Sequence, residues 1–167
     1  MIYCDESHFI RGNSMKKRTA LAALFLLAGA AAFCQSADSI SELLQTEDAT
    51  YGQAAYLAAV YSGSIAEDAS ADDAFAAMVD AGYIAANRDA ESAIPLKELA
   101  KLYAGVTGVR GGLFYTLTHA PRYAFRELKA RGVMPQSADP SQHVSGRNTL
   151  AVLNGCIKLT EASGGDE

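Results

Sequence analysis

Apolar residues recur every three or four positions along most of the chain beyond Asp38, and short polar or glycine-bearing stretches cut this pattern into pieces of helical length. Ser39-Ile-Ser-Glu42 has the spacing of a capping box, with Leu43 and Leu44 placed to pack on a core. The spacing of Tyr51, Ala54, Ala55, Leu57, Ala58 and Tyr61 predicts a helix from about Thr50 to Tyr61, stopped at Ser62-Gly63. An acidic turn region, Glu67 to Asp73, supplies N-caps and negative charge to a helix from Asp73 to Gly82 with Phe75, Met78 and Val79 on its apolar face. Pro95 leads into a helix that carries Leu96, Leu99, Leu102 and Tyr103 on one face. Ala120-Pro121 opens a further helix that ends at Gly132, and a last helix is expected from Ser145 to Leu159. Leu113 to Thr118 reads as a short strand or a helical continuation, and the tail 159–167 as disordered.

Two of these helix pairs match without a gap at an offset of 50 residues. Setting 73–105 over 123–155 aligns Ala74 with Ala124, Phe75 with Phe125, Met78 with Leu128 and Gly82 with Gly132. The same offset aligns Tyr83-Ile84 with Val133-Met134, Asp89 with Asp139, Ile94 with Val144, Leu102 with Val152 and Gly105 with Gly155. Each unit reads as helix, glycine stop, two apolar residues, acidic turn, one apolar residue, helix. One such pair cannot cover its own apolar face, so the units are expected to pack on each other. The Thr50–Tyr61 helix is placed to be the second half of a third, degenerate unit. The expected fold class is therefore all-α, with repeated helix–loop–helix units packed into one small domain over residues 38–158.

The N-terminal region is of a different kind. Met15-Lys-Lys-Arg-Thr followed by the apolar run Ala20–Cys34 is built as a signal peptide, with a positive start and an apolar stretch too short to span a bilayer. Residues 1–14 are expected to be a non-native upstream extension, 15–37 the signal, and the product exported to the periplasm or cell envelope. Two processing routes compete. Cys34 stands where a lipoprotein signal puts its lipidated cysteine, although Phe33 before it is large. Gln35-Ser-Ala37 fits cleavage by an ordinary signal peptidase and is the favoured route. Lipidation would supply the expected membrane association, through a lipid anchor alone. After either route Cys156 is left without a disulfide partner and is expected to be buried packing.

Charge is unevenly spread along the chain. Between Asp38 and Glu98 there are twelve acids and two bases, and between Lys101 and Lys158 eight bases and two acids. This asymmetry suits an anionic partner for the C-terminal half or complementarity between the halves. Arg122, Arg126 and Lys129 recur at helical spacing on one face, where they could hold phosphates, carboxylates or headgroups. Tyr123 beside them could stack on a sugar ring. An overall pI near 5.2 and the export signal argue against nucleic acid as a partner. His119 and His143 lack a second ligand at metal spacing, so no metal or other cofactor is expected. Ser62-Gly-Ser64 and Ser145-Gly146 form no nucleophile elbow, and Gly105–Gly112 lacks the Gly-Lys-Ser/Thr ending of a phosphate loop. The chain is not expected to be an enzyme.

The two units resemble the S-layer homology family, whose repeat reads A-x-x-x-L-x-x-x-G-[IV], a loop with an acidic residue, then I-T-R-A-E-[FL]-A-x-L. The matching stretches are 74–84 with 94–102, and 124–133 with 144–153. The resemblance implies helix pairs packed together and non-covalent binding of peptidoglycan or another envelope polysaccharide. An envelope protein, bound as by a periplasmic adaptor, is the alternative partner. At the positions that carry ligand binding in the family, the first unit has Lys97 and Glu98 and so keeps the acid. The second has Arg147 and Asn148 and so keeps a base. Lys97, Glu98 and Arg147 therefore join the basic stripe as candidate ligand-binding residues, and the family's early tryptophan is absent.

Overall fold

The computed structural model describes residues 40–110 and 120–164, with Thr116 and Thr118 between them. These residues belong to one compact unit, and it is all-helical. Its elements are α1 (residues 40–45), α2 (Tyr51–Tyr61), α3 (Ala71–Asp80), α4 (Leu96–Val106), α5 (Pro121–Ala130) and α6 (Gly146–Gly164). Among the described residues there is no strand, only the isolated antiparallel bridges Thr50–Ala93 and Pro95–His143.

Local chemistry sets the helix starts. Thr50 and Gln53 form a reciprocal capping box at α2, each side chain serving the other's backbone N–H. α3 begins two residues before the expected Asp73, because Ser70 Oγ accepts from Asp73 N at 3.1 Å and so caps the helix. Asp72 and Asp73 then fall in the first turn, where negative charge suits the helix dipole. Pro95 is the N-cap of α4 rather than its first residue, whereas Pro121 does open α5 behind the cap Ala120.

Three of the helix starts, those of α2, α4 and α6, are tied to one another. Each of α2, α4 and α6 is entered by a short non-helical lead-in, and its first N–H groups are satisfied by the lead-in of another. Tyr51 N and Gly52 N donate to Ser92 O (3.0 Å) and Ala90 O (2.8 Å). Leu96 N and Lys97 N donate to Gln142 O (2.9 Å) and Pro140 O (3.0 Å). Gly146 N donates to Thr46 O at 3.0 Å, and Arg147 Nε to Leu44 O at 3.2 Å. The donors run from the first lead-in to the second, the second to the third and the third to the first, which closes a ring. Ala49 N to Val144 O (2.7 Å) and Ile94 N to Ala49 O (2.9 Å) knit its interior. Helix-terminal donors that would otherwise need water are thereby satisfied inside the protein.

Around this ring α2 packs on α3, α4 on α5 and α6, and α2 also on α4 and α6. Met78, Ile94, Leu99, Leu102, Tyr103, Leu128, Thr149 and Cys156 are fully buried between them. Tyr61, expected on the inner face of α2, is 43% exposed because it is the last residue of the helix.

The turns after α3 and α5 use the same bonds 50 residues apart. Gly82 and Gly132 take φ of 78° and 77°, a conformation that residues with a Cβ rarely adopt. Tyr83 N donates to Met78 O and Val133 N to Leu128 O. Asp89 Oδ1 accepts from Glu91 N, and Asp139 Oδ1 from Ser141 N. Tyr83 lies on Gly105, where a Cβ would come 2.8 Å from its ring, and Val133 lies on Gly155, where a Cβ would come 2.6 Å from its methyl. The matched glycines are thus seats for the side chain that follows each turn.

The end of the chain departs from expectation. α6 continues through residues expected to be disordered, as far as Gly164. Leu159 still packs against the core, and Thr160 and Ser163 return their hydroxyls to carbonyls of the preceding turn, so nothing breaks the helix before Ser163-Gly164.

Candidate functional site

The basic stripe lies on α5, whose inner face buries Ala124, Phe125 and Leu128. Arg122 and Arg126 are exposed and make no ion pair among the described residues. Lys129 behaves differently. Its Nζ sits 5.6 Å from the Phe125 ring centroid and donates to Ala138 O at 3.2 Å. Gln136 Nε2 in turn donates to Lys129 O at 3.0 Å. Lys129 therefore fastens the loop after α5, and only the two arginines of the stripe are free to meet a ligand. Tyr123 is half-buried against the core, which limits its ring as a stacking platform.

Arg131, just past α5, is spent on structure as well. It pairs with Glu127 at 2.7 Å and donates through Nη2 to Arg110 O. It also lines a cavity of about 200 Å³ with Thr107, Arg110, Leu159 and Ser163.

The positions matched to the ligand-binding stretch of the S-layer homology pattern sit in the first turns of α4 and α6, beside the ring. Lys97 is half-buried. Glu98 accepts from Arg88 at 2.9 Å, and the Arg88 guanidinium lies 5.8 Å from the centroid of the Tyr51 ring. Burial raises the Tyr51 hydroxyl above its usual pKa, Glu98 adds to the rise, and Arg88 opposes it. Arg147 is exposed and uses Nε on the Leu44 carbonyl, a cap for the end of α1. Arg88 was not among the residues singled out from the sequence. One signal pointed to it: it is one of only two bases between Asp38 and Glu98.

The remaining candidates resolve simply. Cys34, the lipidation candidate, lies outside the described residues, as do His119 and most of the Leu113–Thr118 stretch. His143 Nδ1 is 3.9 Å from Asp48 Oδ1, and both side chains are exposed. Among the described residues no group of three His, Cys, Asp or Glu side chains could hold a metal. No described helix is long and apolar enough to cross a membrane. Cys156 is fully buried, and burial pushes its thiol up to about 12. The thiolate is the reactive form, so a disulfide reagent at pH 8 should modify Cys156 of the native protein negligibly and react fully with it in denaturant. Rapid modification of Cys156 in the folded protein would contradict this burial.

A second cavity of about 280 Å³ lies between α1, α2 and the start of α3, lined by Ile40, Leu43, Gln53, Tyr56, Ser70 and others. A third, of about 220 Å³, lies between the first turn of α4, the loop after α5 and α6. Comparison with protein-family models, with curated proteins and with solved structures gives no match to this chain.

Proposed function

We propose that the chain is a non-catalytic protein of the bacterial cell envelope that binds peptidoglycan or another envelope polysaccharide through units like those of the S-layer homology family. Residues 73–105 and 123–155 are two copies of one helix–loop–helix unit, and α2 with its lead-in is the second half of a third. The observation that supports this most is the cyclic set of hydrogen bonds among the lead-ins of α2, α4 and α6. The turn bonds that recur at an offset of 50 residues add to it. The signal-peptide pattern of residues 15–37 supplies the route to the envelope.

Arg122 and Arg126 provide the electrostatic part of the contact, as exposed guanidinium forks for carboxylate or phosphate groups of the wall. Co-sedimentation with purified sacculi tests the reading. The protein should pellet with sacculi at low salt, and added salt should weaken the binding. Arg122→Ala/Arg126→Ala should weaken it by at least about tenfold, on the order of 1 kcal/mol for each charge. The triple variant that adds Lys129→Ala should lose little more, because Lys129 serves the loop. Absence of wild-type binding would remove the polymer reading. It would leave a periplasmic adaptor as the alternative, for which one stoichiometric protein partner in a pull-down is the expected result.

A further inference from the structure

The 50-residue offset sets α3 over α5, and the two helices carry opposite charge on the same outer row. Positions 72, 76 and 80 read Asp, Ala, Asp, and positions 122, 126 and 130 read Arg, Arg, Ala. A spacing of four residues puts each row on one helix face. All six residues are exposed, because α3 packs its other side on α2 and α5 packs its other side on α4. The two rows do not neutralise each other within the chain. The described residues pair Arg88 with Glu98, Arg131 with Glu127 and His143 with Asp48, and Asp72, Asp80, Arg122 and Arg126 enter none of these pairs. Two of the four charges also sit against their own helix. Asp80 is the last residue of α3, where the carbonyl end favours a cation, and no base stands in that turn. Arg122 is the second residue of α5, where the N–H end favours an anion, and no acid stands in that turn.

We propose that α3 of one copy docks antiparallel on α5 of a second copy, so that the chain assembles head to tail. Antiparallel alignment about Ala76 and Arg126 brings Asp80 opposite Arg122 and Asp72 opposite Ala130. It pairs the two charges that oppose their own helices, and it sets the negative end of α3 beside the positive end of α5. Ala76 and Ala130 leave room for the arginine side chains between the two helices. Contact of α3 with α3, or of α5 with α5, would face like charges, which disfavours a symmetric dimer. The contact is therefore heterologous. A copy that gives its α3 row to one neighbour keeps its α5 row for another, and such contacts continue into a chain or close into a ring. Exposed ion pairs are individually weak, so the assembly forms at high protein concentration and dissolves in salt. The inference goes beyond the polymer reading and does not depend on it. Both use Arg122 and Arg126, so a neighbouring copy and the wall polymer exclude one another on α5.

Sedimentation of the exported, processed protein, with no sacculi present, tests the proposal. At about 0.01 M salt, where charges are screened over roughly 30 Å, the mean mass should rise with concentration past that of a dimer. At about 1 M salt, where screening acts within roughly 3 Å, it should return to that of the monomer. Asp72→Arg/Asp80→Arg and Arg122→Asp/Arg126→Asp should each weaken association at least about tenfold, because each sets like charges against each other. An equimolar mixture of the two variants should recover it, because each row then meets its opposite. Carbodiimide coupling of Arg122→Lys protein should link position 122 to Asp80 of another copy. A wild-type chain that stays monomeric at low salt would overturn the inference, and that measurement needs no variant to fold. So would a mixture of the variants no more associated than either alone, or coupling to Asp72 in place of Asp80. Self-association without sacculus binding removes the polymer reading alone. Sacculus binding by a chain that stays monomeric removes the head-to-tail contact alone.

Discussion

Gly146→Ala should lower the melting temperature by about 10–15 °C, the result of roughly 3–4 kcal/mol of lost stability in a domain of this size. Gly146 is the first residue of α6, and a methyl group there would overlap the Leu43 carbonyl. Either α1 or the start of α6 must move away. Both movements break the Gly146 N to Thr46 O bond, and the Arg147 bond to Leu44 O goes with it. These are the contacts that close the ring from its third lead-in to its first. Gly52→Ala is the matched control, because its Cβ would meet Ala90 O at 3.3 Å, a contact that a small shift relieves. It should cost about 1 kcal/mol or less, since alanine favours the helix over glycine by a similar amount. Thermal unfolding by circular dichroism reads both. A melting point for Gly146→Ala within 2 or 3 °C of wild type, a shift worth about 1 kcal/mol at most, would mean that the ring does not hold the fold.

Gly146 also marks where sequence reasoning stops. The stops at Gly82 and Gly132 were legible because a positive φ leaves a local signature: glycine at the helix end with apolar residues after it. Ile84, Ile94, Met134 and Val144 were legible as anchors because each is apolar at a fixed distance from its glycine, and all four are buried. The seat of Tyr83 on Gly105 was visible only as an alignment match, without its reason. The ring was not visible at all. Its bonds join backbone groups up to about a hundred residues apart, and backbone pairing of that kind imposes no periodicity on side chains.

The candidate site follows the same division. Arg122 and Arg126 were found by their spacing of four residues, which helix geometry converts into one exposed face. Lys129 has the right spacing too, but its position opposite the Ala138 carbonyl depends on the path of the loop. Arg88 and Ala138 stand at loop positions 50 residues apart, yet Arg88 reaches Glu98 and the Tyr51 ring whereas Ala138 lines a cavity beside Leu96. Their meaning emerges only once Tyr51 and Leu96 are brought beside them.

Alkaline pH should destabilise the protein more steeply than its surface charges require, because α4 and α6 bury a phenol and a thiol together. Burial pushes the Cys156 thiol from 9.0 to about 12, and pushes the Tyr103 hydroxyl well above 10.0 with a further rise from Cys156. Below pH 9 both groups are protonated whether the chain is folded or unfolded, so they add no pH dependence. Between pH 9 and 12 the unfolded thiol ionises while the folded one keeps its proton. The unfolded state then binds fewer protons, and stability falls as pH rises, by up to about 1.4 kcal/mol per unit. At pH 11 the thiol alone should account for roughly 2–3 kcal/mol, with Tyr103 adding to the loss above pH 10. Urea midpoints at pH 8 and pH 11 measure it. Cys156→Ala lowers stability at both pH values through its cavity, so the informative quantity is the change between them. That change should be smaller than in wild type by about 2 kcal/mol. Tyr103→Phe should reduce it too, since phenylalanine keeps the packing and removes the ionisable hydroxyl. Parallel pH dependence in wild type and both variants would mean that water reaches this pair in the folded protein, against its complete burial between α4 and α6.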